Sequence, residues 1–353
     1  MAAPTAAQVE ALIAQVIPRY RWTADKVVED LVGKLVGKNI IVTGATSGIG
    51  IPTAVALART GCNLFFTARD TARGASTLAK IKEETKNENV QCLPLDLASY
   101  QSVLDFVKSW GDQKVDVLLH NAGVMASPFT KTSDGEDQQQ QVNFLSVILL
   151  TEKLRAQLAD DARVVIVSSS AHKRLGDTGN NGAFLDIFKQ YCEVQSESTY
   201  EKWTSYCVAK SAALMYSNQL NAEFVAEGKG RRSNALHPGG IMTGLQKDVS
   251  KEEMQAMGWL DAEGNVNSAF KNVEEGASTS VWAAVSPELA GIGGNYLENC
   301  AITPKDCFSA ASNDVSAQLV ARLMGTAPHV WKEDDFKAVT EIGRAHLVAK
   351  KLL

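Results

Sequence analysis

The stretch Tyr206-Cys207-Val208-Ala209-Lys210 sets a phenol and an ammonium four residues apart. On a helix, positions i and i+4 share a face, so the two side chains can meet. A tyrosine near its ordinary value of about 10 is a poor acid–base group at neutral pH. A nearby cation favours the phenolate and lowers that value, which suits the pair to proton transfer. The same two residues, taken alone, also fit an ordinary helix surface. Position in the chain has to decide, and three serines, Ser168 to Ser170, close an apolar run upstream of the pair.

A second constellation suits an anion. In "TGATSGIG", Gly44, Gly48 and Gly50 join a β-branched run, "KNIIV", to a helical one. Glycines let the backbone turn tightly and approach a pyrophosphate, and the helix start points free N–H groups at it. The strand before and the helix after supply the context that this motif needs. Gly44, Thr46, Ser47, Gly48, Ile49 and Gly50 are therefore the expected contacts of a nucleotide. In "TARD", Arg69 ends the second apolar run, with Asp70 behind it and Arg73 one helical turn later. An acid there suits the ribose 2′-hydroxyl of NAD, and a guanidinium suits the 2′-phosphate of NADP. Arg69 and Arg73 favour NADP, with NAD the second choice; solvated surface arginines are the bland alternative. "LDL" places Asp96 and Leu97 where an adenine ring is expected, and "HNAG" places Asn121, Ala122 and Gly123 at a strand's carboxyl edge. "HPGGIMTGL" puts Pro238, Gly239 and Thr243 beside the nicotinamide, unless it is a plain Pro-Gly turn. His237 reads as a strand-end residue.

These residues need elements to hold them. From residue 38 the chain alternates short apolar strands with helices: "CNLFFTAR", "VQCLPLDL", "VDVLLHNAG", "ARVVIVSSS" and "RSNALHPG" follow the first strand. "GEDQQQQVNFLSVILLTEKLRAQL" and "SYCVAKSAALMYSNQLNAEFVAEG" read as long helices, and "GGNYLE" as a last strand. Such βα repeats imply one α/β domain with a Rossmann-type, doubly wound parallel sheet and helices on both faces. Its bounds are 38–325, with an N-terminal helical extension over 1–37 and a C-terminal helical tail over 326–353. In the extension, Val9, Leu12, Ile13, Val16 and Ile17 have helical spacing, and Pro18 ends the run.

Composition narrows the function classes. The 353 residues are 45% hydrophobic and 21% charged, with net charge −5, which argues against a nucleic-acid binder. No apolar run approaches the roughly 18–20 residues of a membrane span, and the N-terminus lacks the pattern of a secretion signal, so a cytoplasmic protein is expected. Six scattered cysteines and five histidines show no metal-ligand spacing, so no metal is expected.

Taken together, "TGATSGIG", "LDL", "HNAG", "QVNFL", "VSSS", "YCVAK" and "HPGGIMT" resemble the short-chain dehydrogenase/reductase family, in the family's order, over most of the chain. "HNAGVM" and "SSSAH" look most like its retinol dehydrogenase and WW-domain oxidoreductase subgroup. The resemblance implies a catalytic Asn143, Ser169, Tyr206 and Lys210. Ser169 would hold the substrate oxygen, Lys210 would also reach the nicotinamide ribose, and Asn143 would hold a water linking Lys210 to solvent. Two departures are His120 in place of a first Asn, and a longer gap between Ser169 and Tyr206. The extra segment, 172–203, is expected to border the substrate entrance.

The expected activity is NADP-dependent carbonyl reduction or alcohol oxidation on a small hydrophobic ketone or secondary alcohol. An epimerase or dehydratase with bound NAD and a non-catalytic nucleotide sensor are the other readings. Residues 245–270 form the expected substrate lid, where Leu245, Met254, Met257, Trp259 and Leu260 make either an apolar wall or a helix packed on the body. The resemblance also raises a homodimer paired through the helices of Asn143 and Tyr206.

Overall fold

The computed structural model describes residues 17–175, 183–193, 196–305 and 324–353, together with Ile13 and Gln15. Helix α1 (Ala24–Val28) is capped by Thr23, whose hydroxyl accepts the Lys26 N–H. β1 (Asn39–Val42) then leads through the glycine turn to α2 (Gly50–Arg59). β2 (Asn63–Ala68), α3 (Thr71–Thr85), β3 (Val90–Pro94), α4 (Tyr100–Trp110) and β4 (Val115–His120) continue the repeat. α5 (Gln138–Gln140) and α6 (Ser146–Lys153) precede β5 (Leu158–Val167). α7 (Ala183–Glu193), α8 (Lys202–Ala226), β6 (Arg232–His237), α9 (Lys251–Ala256) and α10 (Val273–Val285) follow. β7 (Tyr296–Glu298), β8 (Ala301–Ile302) and α11 (Glu333–Ala349) end the described chain.

The strands form one sheet in the order β3-β2-β1-β4-β5-β6-β7-β8, parallel except for β8. Successive strands add outward from β1 in one direction and from β4 in the other. Ligands of such sheets bind beyond the carboxyl ends of the strands at this reversal, here between β1 and β4.

Side-chain alternation explains the two faces. Ile41, Phe65, Leu118 and Val164 enter a core with α4, α6, α8 and α11, where Trp110, Phe144 and Tyr216 are buried. Their neighbours Ile40, Val42, Phe66, Leu119 and Val165 enter a second core with α1, α2 and α10. Removing one such buried aliphatic side chain costs about 2–5 kcal/mol, so both faces hold the sheet in place.

The sequence expectations differ from the structure at several points. The long helix expected from residue 135 starts at Gln138 and is interrupted by a π turn, Gln141–Leu145. The antiparallel β8 was not foreseen. The N-terminal helix expected over 6–17 falls almost wholly outside the described residues, and so does Cys307; Ile13 and Ile17 are buried. α11 is no loose tail, because Arg344 bridges Glu152 of α6 and Glu223 of α8 at 2.5 and 2.7 Å. Among the described residues, no helix is long and apolar enough to cross a membrane.

Candidate active site

Glu201 opens α8 by accepting the N–H groups of Trp203 and Thr204 on its carboxylate. One and two turns later, Tyr206 and Lys210 are each 5% exposed and both line a cavity of about 540 Å³. The end of β5 is clasped to this helix. Ser168 Oγ donates to Lys210 O at 2.7 Å, and Lys210 Nζ donates to Val167 O at 2.9 Å. Ser169 lies just beyond the strand, where its Oγ accepts the Ala171 N–H at 3.1 Å and is near enough to the Tyr206 hydroxyl to draw its pKa down. Accepting the Ala171 N–H uses one of its two lone pairs and leaves the Ser169 proton available to donate. All three serines touch the cavity, but Ser168 is turned into α8 and Ser169 alone of them meets Tyr206.

Burial dominates the electrostatics. It pushes Tyr206 up to about 12, against the pull of the Ser169 hydroxyl. It also drives Lys210 down to about 8. The sequence led to the opposite expectation for Tyr206, a value lowered by Lys210. In the free site desolvation of the phenol prevails, and Lys210 is not among the groups that offset it.

Asn143 does not line the cavity; it is buried behind Gly123 in the π turn, a rare geometry that recurs at functional sites. Asp137 caps α5 at Gln139 and accepts Ser205 Oγ from α8 at 2.5 Å, while Gln140 Nε2 donates to Ser205 O. These bonds cross the two helices below the cavity. The Asn143 amide then grips one residue of the loop after β4: Nδ2 donates to Val124 O at 2.9 Å and Oδ1 accepts Val124 N at 3.1 Å. These two bonds fix the loop that contains Gly123.

The glycine turn faces the same cavity. Gly44, at φ +69°, sits so close to Ala122 that an added Cβ would lie 2.7 Å from the Ala122 Cβ. Asn121 fastens this approach, with Nδ2 donating to Thr43 O and Gly44 O at 3.0 and 3.1 Å. Thr46, Ser47, Gly48, Ile49 and Gly50 line the cavity beside Gly44. α3, α4 and α10 start with side-chain caps from Asp70, Ser99 and Asn272, whereas α2 starts at the cavity with none. A backbone cradle with no room for a side chain at Gly44 or Gly50, ending at an uncapped helix start, fits the pyrophosphate of a dinucleotide.

At the far end Arg69 and Arg73 are exposed and line the cavity. Asp70 does not; its carboxylate caps α3 by accepting Arg73 N at 2.9 Å, a bond that lowers its pKa. Ala122, Gly123, Pro238, Gly239 and Thr243 also line the wall. Thr243 uses its hydroxyl to cap a short turn, Gly244–Gln246. Asp96 and Leu97 are not among the lining residues. Asp96 caps its own turn at Ala98 N, and Leu97 is buried, where its carbonyl accepts Ser146 Oγ.

Several lining residues were missed in the sequence: Met125, Ser127, Gln138, His237 and Phe270. Met125 and Ser127 follow "HNAG" directly, so the carboxyl edge of β4 was the available signal. His237 is half-buried at the wall, where desolvation holds its pKa well below the ordinary value and keeps it neutral. The lid carries aromatic residues to the cavity mouth. Trp203 meets Tyr206 edge-on at 6.3 Å and Trp259 at 5.9 Å, and Trp259 meets Phe270 at 6.0 Å. Of the expected lid wall, Leu245 and Trp259 line the cavity, Met254 joins the cluster behind it, and Met257 and Leu260 do neither. Lys202 ties α9 to α8 through Glu253 at 2.8 Å. None of the described residues of 172–203 lines the cavity. α7 packs elsewhere, its Phe188 edge-on to Phe144, because its apolar face fits the core under α8 and α11.

Residues 38–180 match the family model described as short chain dehydrogenase. The chain is 36% identical over 270 residues to a polyprenol dehydrogenase of Homo sapiens, covering 73% of this chain and 76% of that protein. It is 34% identical over 321 residues to the short-chain dehydrogenase/reductase prx1 of Penicillium roqueforti, covering 89% and 86%. Retinol dehydrogenase 12 of Homo sapiens is 32% identical over 272 residues, covering 76% and 79%. Among solved structures, an uncharacterized protein from Mycobacterium Paratuberculosis superposes with a TM-score of 0.58 at 26% identity, over 91% of this chain and 98% of that one. A blue fluorescent protein from a metagenomic library, in complex with NADPH, gives a TM-score of 0.56 at 21% identity, over 74% and 96%, a likeness of fold.

Proposed function

This chain belongs to the short-chain dehydrogenase/reductase family, an NAD(P)-dependent oxidoreductase, and from that premise we propose that it reduces a hydrophobic ketone, or oxidises the matching secondary alcohol, with NADP and with Tyr206 as general acid and base. The observation that carries this reading is the meeting of Ser169, Tyr206 and Lys210 in the cavity that the glycine turn also lines. When bound, the dinucleotide supplies or takes the hydride. The residues from Gly44 to Gly50 and the start of α2 would hold its phosphates. Arg69 and Arg73 would hold the 2′-phosphate, and the use of Asp70 as a helix cap supports NADP over NAD.

The rest of the reaction falls to this chain's side chains. The substrate oxygen accepts hydrogen bonds from Ser169 and Tyr206, which orient it. Tyr206 is buried and neutral, so it enters the reaction as an acid and gives its proton to that oxygen. The Lys210 ammonium, one turn along α8, stabilises the phenolate that remains. Met125, Leu245, Trp259 and Phe270 give the mouth of the cavity an apolar lining, which supports a hydrophobic substrate. Two relatives are named for polyprenol and retinol, both apolar alcohols.

NADPH oxidation measured against a panel of ketones tests the reading. Turnover of hydrophobic ketones, abolished by Tyr206→Phe with NADPH binding intact, is the expected outcome. Tight NADPH binding with no turnover of any ketone would leave a sensor instead.

A further inference from the structure

His172 is fully buried and belongs to no step of the reaction described above. It sits in the 3-10 turn Ser170–Leu175 that carries the chain away from β5. Its ring Nδ1 lies 2.6 Å from Ser169 O, and its backbone N–H donates to the same oxygen at 3.3 Å. A carbonyl only accepts, so the proton is on Nδ1. The ring is neutral, since burial drives its pKa down to about 3. Nε2 is therefore a bare lone pair, buried without a hydrogen-bond partner among the described residues. The ring is held from behind by Tyr296 of β7, edge-on at 5.0 Å.

Two ends of the Ser169 residue are thus fixed independently. Ala171 N–H fixes the hydroxyl, and His172 fixes the carbonyl. A neutral ring with an unsatisfied buried nitrogen costs roughly 1–3 kcal/mol unless something offsets it. Leu or Phe would fill the same space without that cost. Among the described residues, the bond to Ser169 O is the one hydrogen bond that the ring makes in return. We propose that His172 is a positioning residue, which sets the Ser169 hydroxyl against Tyr206 by clamping the Ser169 carbonyl. The inference rests on the catalytic reading of Ser169 and Tyr206.

The test uses the full chain with His172→Phe, His172→Asn, Ser169→Ala and the double variant S169A/H172F. Phe keeps the ring and loses the donor. Asn keeps a donor where Nδ1 stands. Misplacing a reacting group by about 1 Å costs up to roughly 100-fold in rate. The expected result is a fall in kcat of about 10–100-fold for H172F, with NADPH affinity unchanged and most of the loss recovered in H172N. In the S169A background the same substitution should cost less than about 3-fold, because the group it positions is gone. Equal losses in H172F and H172N, or an undiminished loss in the S169A background, overturn the proposal and leave His172 a packing residue. Should the unmodified protein reduce no ketone, the functional reading fails on its own. The clamp is then read from the 13C resonance of the Tyr206 ring carbon bearing oxygen, which H172F should move towards its S169A position; an unmoved resonance overturns the clamp.

Discussion

Asn143 and Lys210 face each other across Gly123: a Cβ on that glycine would lie 2.9 Å from Asn143 Oδ1 and 3.2 Å from Lys210 Nζ. One side chain comes from the π turn, the other from α8, and both close on the Cβ side of Gly123 in the loop after β4. The two helices can approach the cavity this closely only because residue 123 has no side chain. Gly123→Ala should therefore displace Lys210 or loosen the grip of Asn143 on Val124. The expected effect is a fall in kcat of about 10–100-fold with a small change in Tm, since the defect is local. Steady-state kinetics beside thermal unfolding checks it; unchanged kcat means that the loop yields freely.

Lys210 links activity to stability with opposite signs. Its folded pKa, about 8, lies below the ordinary 10.5, so the folded state binds the proton more weakly than the unfolded one. Below about pH 8 the fold must carry a buried charge, and this penalty fades as pH rises from 8 towards 10.5. The shift corresponds to about 3 kcal/mol, against about 1.5–3 kcal/mol for the hydrogen bond to Val167 that the ammonium makes. Lys210→Met should then be nearly inactive yet as stable or more stable, by up to about 1.5 kcal/mol at pH 7, with any gain gone by about pH 10. Urea unfolding at the two pH values measures the difference. A destabilised variant at pH 7 would show that the bond to Val167 outweighs the desolvation.

The same two values set a pH profile. Reduction needs a protonated Tyr206, near 12, and a charged Lys210, near 8. kcat/KM reports groups of the free enzyme. For reduction it should stay level through neutral pH and fall as pH rises through about 8. A profile that falls towards acid instead would assign the governing group elsewhere.

Arg69 and Arg73 frame the cofactor question as an experiment. Each hydrogen bond to a charged group is worth about 1.5–3 kcal/mol. R69A/R73A should raise the KM for NADPH by about 10–100-fold and leave that for NADH nearly unchanged. A loss shared equally by both cofactors would point to damage of the groove, and no loss for either would remove these residues from the site.

Much of this was legible because buried parallel strands are apolar without interruption, and because glycine has few reasons to recur in a strand-to-helix turn. The repeat from β1 to β7 follows from these two signals. What stayed hidden depends on competition between partners. Asp70 and Arg69 both lie at the end of β2, and nothing in "TARD" says that the acid folds back onto Arg73 N. The π turn at Asn143 leaves no mark in "QVNFL", since its cause is the pairing of the Asn143 amide with Val124, remote in sequence. The pKa of Tyr206 turns on whether burial or Lys210 prevails, which the spacing of the two cannot express.

Arg344 carries the last prediction. Its guanidinium joins α11 to Glu152 and Glu223, and Arg155 reaches the same two carboxylates from below. Burial raises the Glu223 pKa, but the bonds from Arg344, Gln219 and Arg155 outweigh it and hold the group at about 2. A carboxylate held below its ordinary value stabilises the fold above that value, and the stabilisation is lost as pH falls through about 2. Arg344→Ala should cost about 1–3 kcal/mol at neutral pH and move the onset of acid unfolding upwards. α11 also packs on α6 and α8, the stretches of the Asn143 and Tyr206 helices through which the sequence allowed a homodimer. The chain should therefore not pair through them, and light scattering should give a monomer unless another surface associates. Truncation after residue 332 should expose Phe144 and Ile148 and lead to association or aggregation. A truncated chain that stays monomeric with an unchanged Tm would show that α11 contributes little to the fold.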